Sequence, residues 1–414
     1  MRTLSSSAVR GTAADVLARA DALGAISEED GRLTRRLATP ALARAGDLVS
    51  GWMEDAGLVV RRDAIGNVIG RTGDADVPPL VLGSHLDTVP DAGRYDGALG
   101  VLLAIAVVDR LAAPPPIPLE VVAFADEEGV RFGVPYLGSA AYSGRFEPEW
   151  LDLVDADGIT LRVAIERAGA DPALLLEVLE PGLACYVEAH IEQGPVLERE
   201  GLPVGVVSAI AGQTRAAVTI IGRPGHAGTS PMSGRHDALA AASELVLAVE
   251  RFARESEGLV ATVGSLTVSP GASNVIPGEA HLSLDVRHAD DGALGQAVAG
   301  LRHAATRIAT ARSVELDWSI LRATPAVELA PELRLRLASA VLAEGHEARS
   351  LASGAGHDAV ILSGVCPAAM LFVRCAGGVS HDPRESVAEA DVAVALDVLE
   401  RFVSAPRARP GPGV

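Results

Sequence analysis

The apolar positions of the chain fall into three stretches with different spacing. Between residues 79 and 125 they gather into unbroken runs. Pro79-Leu-Val-Leu-Gly83 and Leu119-Glu-Val-Val-Ala-Phe-Ala125 are short runs of the kind a parallel sheet buries on both faces, and Ala98 to Leu111 between them reads as an apolar helix. Ahead of them the pattern predicts two helices, about Ala8 to Leu23 and Pro40 to Ala56. A hairpin follows, with arms Leu58-Val-Val-Arg-Arg-Asp and Asn67-Val-Ile-Gly-Arg around a turn at Ile65-Gly66. Tyr136 to Glu180 has a helical period broken at Gly158 and Pro172, and Ala184 to His190 alternates as a strand. From about Gly205 half-buried strands take over. Thr214 to Gly222, Leu259 to Val268 and His281 to Arg287 carry apolar residues at alternate positions, interleaved with helices at about Gly234 to Glu255 and Asp291 to Ala311. In the last of these strands Leu282, Leu284 and Val286 share one face, which leaves His281, Ser283, Asp285 and Arg287 on the other. Near Thr324 the first pattern resumes, with helices at Pro331 to Glu344 and Glu389 to Phe402 around a strand, Ala368 to Arg374.

This order implies an α/β protein: a mixed, mostly parallel sheet flanked by helices, interrupted by a small α+β insertion. The boundaries fall at 1–212 and 324–414 for the sheet domain and at 213–323 for the insertion. At 414 residues the chain is long for one core, so two domains are expected. The tail from Ala405 to Val414, rich in Pro, Gly and Arg, reads as disordered.

A hydrophobic content of 49% with 21% charged residues describes a globular chain. The formal charge of −19 argues against nucleic acid as a partner, because phosphate binding needs a basic face. Cys185, Cys366 and Cys375 are three in number, lie in apolar runs and lack C-x-x-C spacing, so a disulfide framework or thiolate zinc site is not expected. The first residues lack an apolar signal core, and the longest apolar run, Leu99 to Val108, is too short to span a bilayer; a cytoplasmic location off the membrane is the expectation. The chain contains no lysine, which excludes Schiff-base enzymes, lysine-anchored pyridoxal phosphate enzymes and lysine-bearing P-loops.

The candidate chemistry sits where the apolar runs stop. Gly83-Ser-His-Leu-Asp-Thr-Val-Pro-Asp-Ala-Gly-Arg-Tyr-Asp-Gly-Ala-Leu-Gly100 places His85, Asp87 and Asp96 at the carboxyl end of a strand, where open α/β sheets hold ligands. A His and a carboxylate on one loop, with Pro90, Gly93 and Gly97 to turn it, can point into one crevice and hold a metal. Asp87, two residues from His85, is placed to hold the imidazole's other nitrogen. The second buried strand runs into Asp126-Glu-Glu-Gly129, where neighbouring glutamates suit different tasks, one on a metal and one as a general base. A third strand ends at His190, Glu192 and Gln193. Ligand-type residues at three successive strand ends argue against chance. Two glycine-rich loops, Ser353-Gly-Ala-Gly-His-Asp-Ala359 and Gly377-Gly-Val-Ser-His-Asp-Pro-Arg-Glu385, each add a His-Asp pair. The first eighty residues show no chemistry, and Asn67 there reads as structural.

These residues together resemble the M20 metallopeptidase family, and within it the amidase branch of N-carbamoyl-L-amino-acid hydrolases, β-ureidopropionases and allantoate amidohydrolases. The matching motifs are Gly-Ser-His85-Leu-Asp87-Thr-Val, Asp96-Gly-Ala-Leu-Gly, Asp-Glu127-Glu128-Gly, His190-Ile-Glu-Gln193-Gly-Pro, Gly-His226-Ala-Gly-Thr, Ser-Asn274-Val-Ile-Pro, Asp-Val-Arg287-His, Ser-Gly-Ala-Gly356-His357-Asp-Ala and Gly-Val-Ser-His381-Asp. They run in family order over about three hundred residues. The resemblance implies a zinc-peptidase-like catalytic domain with an inserted lid and dimerisation domain. It implies two divalent ions, one held by His85, Asp96 and His190 and the other by Asp96, Glu128 and His381. The nitrogen and oxygen donors suit Zn, Mn, Co or Ni without choosing among them. By the same resemblance Glu127 is the general base, and Asp87 is counted with it among the catalytic residues. His226 reaches across a homodimer to an oxyanion, and Gln193, Asn274, Arg287, Gly356 and His357 line the substrate site. The implied substrate is a small ureido or carbamoyl carboxylate, which a guanidinium such as that of Arg287 fits in a planar two-pronged way. Allantoate is favoured over N-carbamoyl-L-amino acids on the Ser353-Gly-Ala-Gly-His-Asp-Ala359 motif.

A deacylase or dipeptidase on the same scaffold is the nearest alternative, and His190-Ile-Glu-Gln193 argues against it. A non-catalytic binding relative should have lost Glu127 or a ligand. A serine hydrolase would need a G-x-S-x-G setting, which Ser84 and Ser353 lack. His236, His281, His288, His303 and His346 are assigned no function.

Overall fold

Strands that are apolar along their whole length need cover on both faces, and the larger of two units provides it. The computed structural model describes residues 11–176 and 182–405. It divides into one unit of Met1–Ser208, Leu329–Leu351 and His357–Val414 and a second of Ala209–Glu328 with Ala352–Gly356.

In the first unit the sheet runs in the order Val59–Arg62, Val68–Arg71, Leu119–Phe124, Leu80–His85, Cys185–Ile191, Ala368–Val373, Val204–Ile210. The four strands from Leu119–Phe124 to Ala368–Val373 are parallel and buried throughout; the neighbours outside them pair antiparallel. All four carboxyl ends therefore face one edge of the sheet, and His85, Glu127, Glu128 and His190 stand at three of them. The Ala98–Arg110 helix packs against the middle of the sheet and is buried continuously from Ala98 to Val108. Each of its buried leucines and valines contributes ~1.5–3 kcal/mol relative to exposure. Gly100 lets the helix press onto the strand that carries His190, because a Cβ there would overlap the carbonyl of Ala189.

Several elements differ from the sequence expectation. The Cys185–Ile191 strand is buried at every position rather than alternating, because it lies between two parallel partners in mid-sheet. As far as Leu176 the helical period of 136–180 resolves into short pieces, α-helical over Leu137–Tyr142 and Leu161–Arg167 and 3-10 over Pro148–Asp152 and Pro172–Leu176; its last four positions lie outside the described residues. The strand Val204–Ile210 was not anticipated; it pairs with Ala368–Val373, Val206 opposite Leu371. The first helix begins at Ala13, where Thr12 and Asp15 form a reciprocal capping box. The expected start at Ala8 and the tail beyond Ala405 lie outside the described residues.

The second unit is a four-stranded antiparallel sheet in the order Glu315–Thr324, Gly212–Ile221, Glu279–His288, Val260–Ser269. Leu282, Leu284 and Val286 pack with Ala216, Val218 and Ile220 against the helices Ala238–Glu255 and Asp291–Arg312. The Glu315–Thr324 strand is the one that alternation did not mark: it is an edge strand, and Ile320 and Leu321 on it are exposed. No helix among the described residues is long and apolar enough to cross a membrane.

Candidate metal and catalytic centre

The sheet edge brings ligand-type side chains from four separate segments into overlapping groups. His85, Asp96 and His190 offer donor atoms within 4.8 Å of one another, as do Asp96, Glu128 and His381, and His85, Glu127 and Glu128. Asp96 belongs to the first two. Its Oδ1 faces His190 Nε2 at 3.1 Å and His85 Nε2 at 3.6 Å; its Oδ2 faces His381 Nε2 at 3.3 Å. His381 Nε2 also lies 3.4 Å from Glu128 Oε1.

Hydrogen bonds to backbone carbonyls set the imidazole tautomers. His85 Nδ1 donates to the carbonyl of Asp87 at 3.0 Å and His190 Nδ1 to that of Ile191 at 2.9 Å, and a carbonyl can only accept. The Nε2 lone pairs therefore lie toward the Asp96 carboxylate, with that of His190 also accepting the Gly97 amide at 3.2 Å. Lone pairs so arranged repel unless a cation or proton lies among them, which is the setting of a metal-ligating histidine held by an outer partner. Gly97 makes room for this: its φ is +65°, and a Cβ would come within 2.5 Å of the His85 ring.

The pKa directions say the same. Burial alone would lower His85 and His190, yet Asp87 and Asp96 raise His85 well above its ordinary value, and Asp96 raises His190. His381 is raised to about 10 by Asp96 and Glu128. Burial would raise Asp96, but its three histidine partners hold it well below the usual carboxylate range. The acids of the centre call for positive charge, and the donor set fits divalent ions.

Asp87 ties the histidine to the glutamates. Its carboxylate accepts the backbone amides of Glu127 at 2.9 Å and Glu128 at 3.1 Å, and its Oδ1 lies 3.4 Å from His85 Nδ1. The closer contact to that nitrogen is Asp87's own carbonyl, so the carboxylate serves mainly the Glu127–Glu128 turn. Glu127 is buried, and its carboxyl is raised well above 4.5 chiefly by burial, against the pull of His85 and with the help of Glu128, Asp358 and Asp87. A raised carboxyl suits proton transfer.

Gln193 has a left-handed backbone, φ +56°, and its Nε2 donates to Asp96 Oδ2 at 2.9 Å and to Ser380 Oγ at 3.0 Å. His357 is buried with its ring 4.5 Å from that of His190, and burial, then His190, lowers its pKa well below 6.5. The remaining expected residues belong to the second unit. There Gly225–His226 pairs with Val275–Ile276, which sets His226 next to the Asn274 segment. His226 Nδ1 accepts the amides of Gly228 and Thr229, so its ring proton resides on Nε2. Arg287 already grips Asp285 with Nε and Nη2, at 2.8 and 3.1 Å, and its Nη1 donates to the Gly354 carbonyl in the segment that ends at Gly356.

Some residues at the centre escaped sequence reasoning. Ser380 Oγ donates to Asp96 Oδ2 at 2.6 Å; its signal was adjacency to His381. Glu188 accepts Ser84 Oγ and the amide of Ala359, which binds the His357 segment to two strands. Arg35 is fully buried beneath the His85 loop, its Nε on the Leu86 carbonyl at 3.0 Å and its Nη1 on that of Leu23 at 2.6 Å. Residues 35 and 88 exchange backbone and hydroxyl bonds, so the opening segment, read as free of chemistry, supports the centre. Asn67 is structural as expected: it bonds Asp63, Gly138 and Ala125.

A family model described as Peptidase family M20/M25/M40 matches residues 81–405. The N-carbamoyl-L-amino acid amidohydrolase of Geobacillus stearothermophilus is 41% identical, covering 92% of this chain and 95% of the relative. The allantoate deiminase of Arabidopsis thaliana is 39% identical, covering 93% of this chain and 81% of the relative. Among solved structures, an amidase of the hydantoinase/carbamoylase family from Burkholderia multivorans superposes with a TM-score of 0.89 at 33% identity, covering 96% of this chain and all of that one.

Proposed function

This chain belongs to peptidase family M20/M25/M40, and we propose that it is a binuclear-metal amidohydrolase. It cuts the ureido or carbamoyl C–N bond of a small carboxylate, allantoate first and N-carbamoyl-L-amino acids second, and releases ammonia and carbon dioxide. The observation that carries this reading is the pair of donor groups that share Asp96, with the buried carboxyl of Glu127 beside them. Relatives named for both substrates support it. When bound, divalent ions polarise a carbonyl and acidify water. His85, Asp96 and His190 would hold one ion, and Asp96, Glu128 and His381 the other.

The chain's own residues do the rest. Glu127 takes the proton of the attacking water and passes it to the leaving nitrogen, while Asp87 holds the turn that aims it. His226 presents Nε2–H as a donor for a developing oxyanion and, in the homodimer we include in the proposal, serves the partner's site. Arg287 reads the substrate carboxylate, and Asn274, Gln193, Gly356 and His357 contact its polar groups. The deciding experiment is a panel of ureido and carbamoyl acids, N-acyl amino acids and dipeptides with ammonia and amine detection on metal-reconstituted protein. Ammonia from allantoate or an N-carbamoyl-L-amino acid, abolished by chelation and restored by Mn, Co, Ni or Zn, is expected. Turnover confined to dipeptides or N-acyl substrates, or full activity in metal-free protein, refutes the proposal.

A further inference from the structure

Glu385 is a buried carboxylate that the proposed reaction does not use. It lies four residues past His381, and its Oε1 accepts the backbone amide of Tyr95, the residue before Asp96, at 3.1 Å. Gly93 leaves the room for it, because a Cβ on residue 93 would overlap Glu385 Oε2. One short segment thus does three things: Ser380 bonds Asp96 Oδ2, His381 supplies a ligand, and Glu385 holds the backbone on which Asp96 rides.

The two donor groups differ in how they are anchored. His85 ends one central strand and His190 lies near the end of the next, and their side chains are 2% and 1% exposed; His381 is on a loop and is 49% exposed. In the group of His85, Asp96 and His190 the two histidines are anchored by the sheet, and Asp96 alone rides on the loop. The group of Asp96, Glu128 and His381 closes only when the 380–385 segment is docked against the Asp96 loop, and Glu385 makes the buried part of that docking.

We propose that Glu385 is a positioning residue that sets the affinity of the outer ion position formed by Asp96, Glu128 and His381, and bears less on the inner position of His85, Asp96 and His190, which shares only Asp96 with it. The inference rests on the two-ion reading above. Its physical basis is that partners behind a ligand typically change metal affinity about 10- to 100-fold when removed.

The test counts ions rather than turnover. Metal-free wild type, Glu385→Ala and Glu385→Gln are titrated with Mn²⁺ and separately with Zn²⁺ in metal buffers, with stoichiometry read by plasma mass spectrometry and affinities by calorimetry. Wild type should take two ions. Glu385→Ala should weaken the second constant by roughly 10- to 100-fold and the tighter one by less. Glu385→Gln should fall between, because its amide oxygen still accepts the Tyr95 N–H. Gly93→Ala, which crowds the same carboxylate from the other side, should copy the alanine variant. A second constant within threefold of wild type in both Glu385 variants, or equal weakening of both ions, overturns the proposal while the two-ion reading stands. A wild-type chain that binds one ion at saturation overturns both. Thermal melts of the metal-free proteins report whether Glu385→Ala folds, and Glu385→Gln carries the test if it does not.

Discussion

Replacing Asp87 by asparagine should disable the centre through Glu127 and not through His85. The carboxylate accepts two backbone amides, those of Glu127 and Glu128, at 2.9 and 3.1 Å in a buried setting. An asparagine oxygen can keep one of them, while its NH₂ meets the other N–H donor against donor. The loss of one charge-assisted bond costs about 1.5–3 kcal/mol, and the amide left unsatisfied costs ~1–3 kcal/mol more. The turn relieves this by moving, which carries the Glu127 carboxyl away from its aim. At about 1.36 kcal/mol per decade the full cost corresponds to a fall in kcat/KM of roughly 10²- to 10⁴-fold. The assay is initial-rate ammonia release at saturating metal, with bound metal counted in the same samples. A double-mutant cycle with Glu127→Gln separates positioning from any independent role. If Asp87 acts through Glu127, the double variant should be about as slow as Glu127→Gln alone, because groups that act as a unit are not additive. Fully multiplicative losses, or a single Asp87→Asn within fivefold of wild type, would refute the reasoning.

Other outcomes follow from the same geometry. Glu127→Gln keeps the backbone amide that Asp87 accepts, so metal content should hold while kcat drops by ~10²–10⁴-fold, the range of proton-transfer catalysis; a near-normal kcat would move the base elsewhere. Arg287→Ala should cut kcat/KM by roughly ten- to more than a hundredfold for the acid substrate, from about 1.5–3 kcal/mol for a charge-assisted pair, and should not affect the carboxamide analogue; equal losses on both would show that the carboxylate is not what Arg287 reads. Arg35→Met removes a buried cation beside Asp87 together with its bonds to three carbonyls. Breaking a buried charged arrangement costs ~3–5 kcal/mol, so the denaturation midpoint of the metal-free protein should fall well below that of wild type; an unchanged midpoint would mean that burial of Arg35 is tolerated rather than used.

The continuous apolar runs ending in His85 and in Glu127 with Glu128, and the alternating strand ending at His190, were enough to place ligand-type residues at one sheet edge, because open α/β sheets hold their ligands at the carboxyl ends of the strands. The polar face of the Glu279–His288 strand was legible for a similar local reason, the period of two. What the sequence could not show was contact between distant segments. Arg35 meets the His85 loop 51 residues on, and Glu385 meets Tyr95 across 290. Neither has a local pattern: one is an arginine in a chain whose basic side chains are all arginine, the other a glutamate in an ordinary loop. Nor could spacing reveal that Asp87 turns its carboxylate to the Glu127 and Glu128 amides, or that Arg287 is already paired with Asp285. The kinds of donor and their strand-end addresses were thus written locally. Which lone pair faces which carboxylate, and what holds each in place, depended on tertiary packing, because a hydrogen bond is set by direction and a tenth of an ångström, and a one-dimensional pattern carries neither.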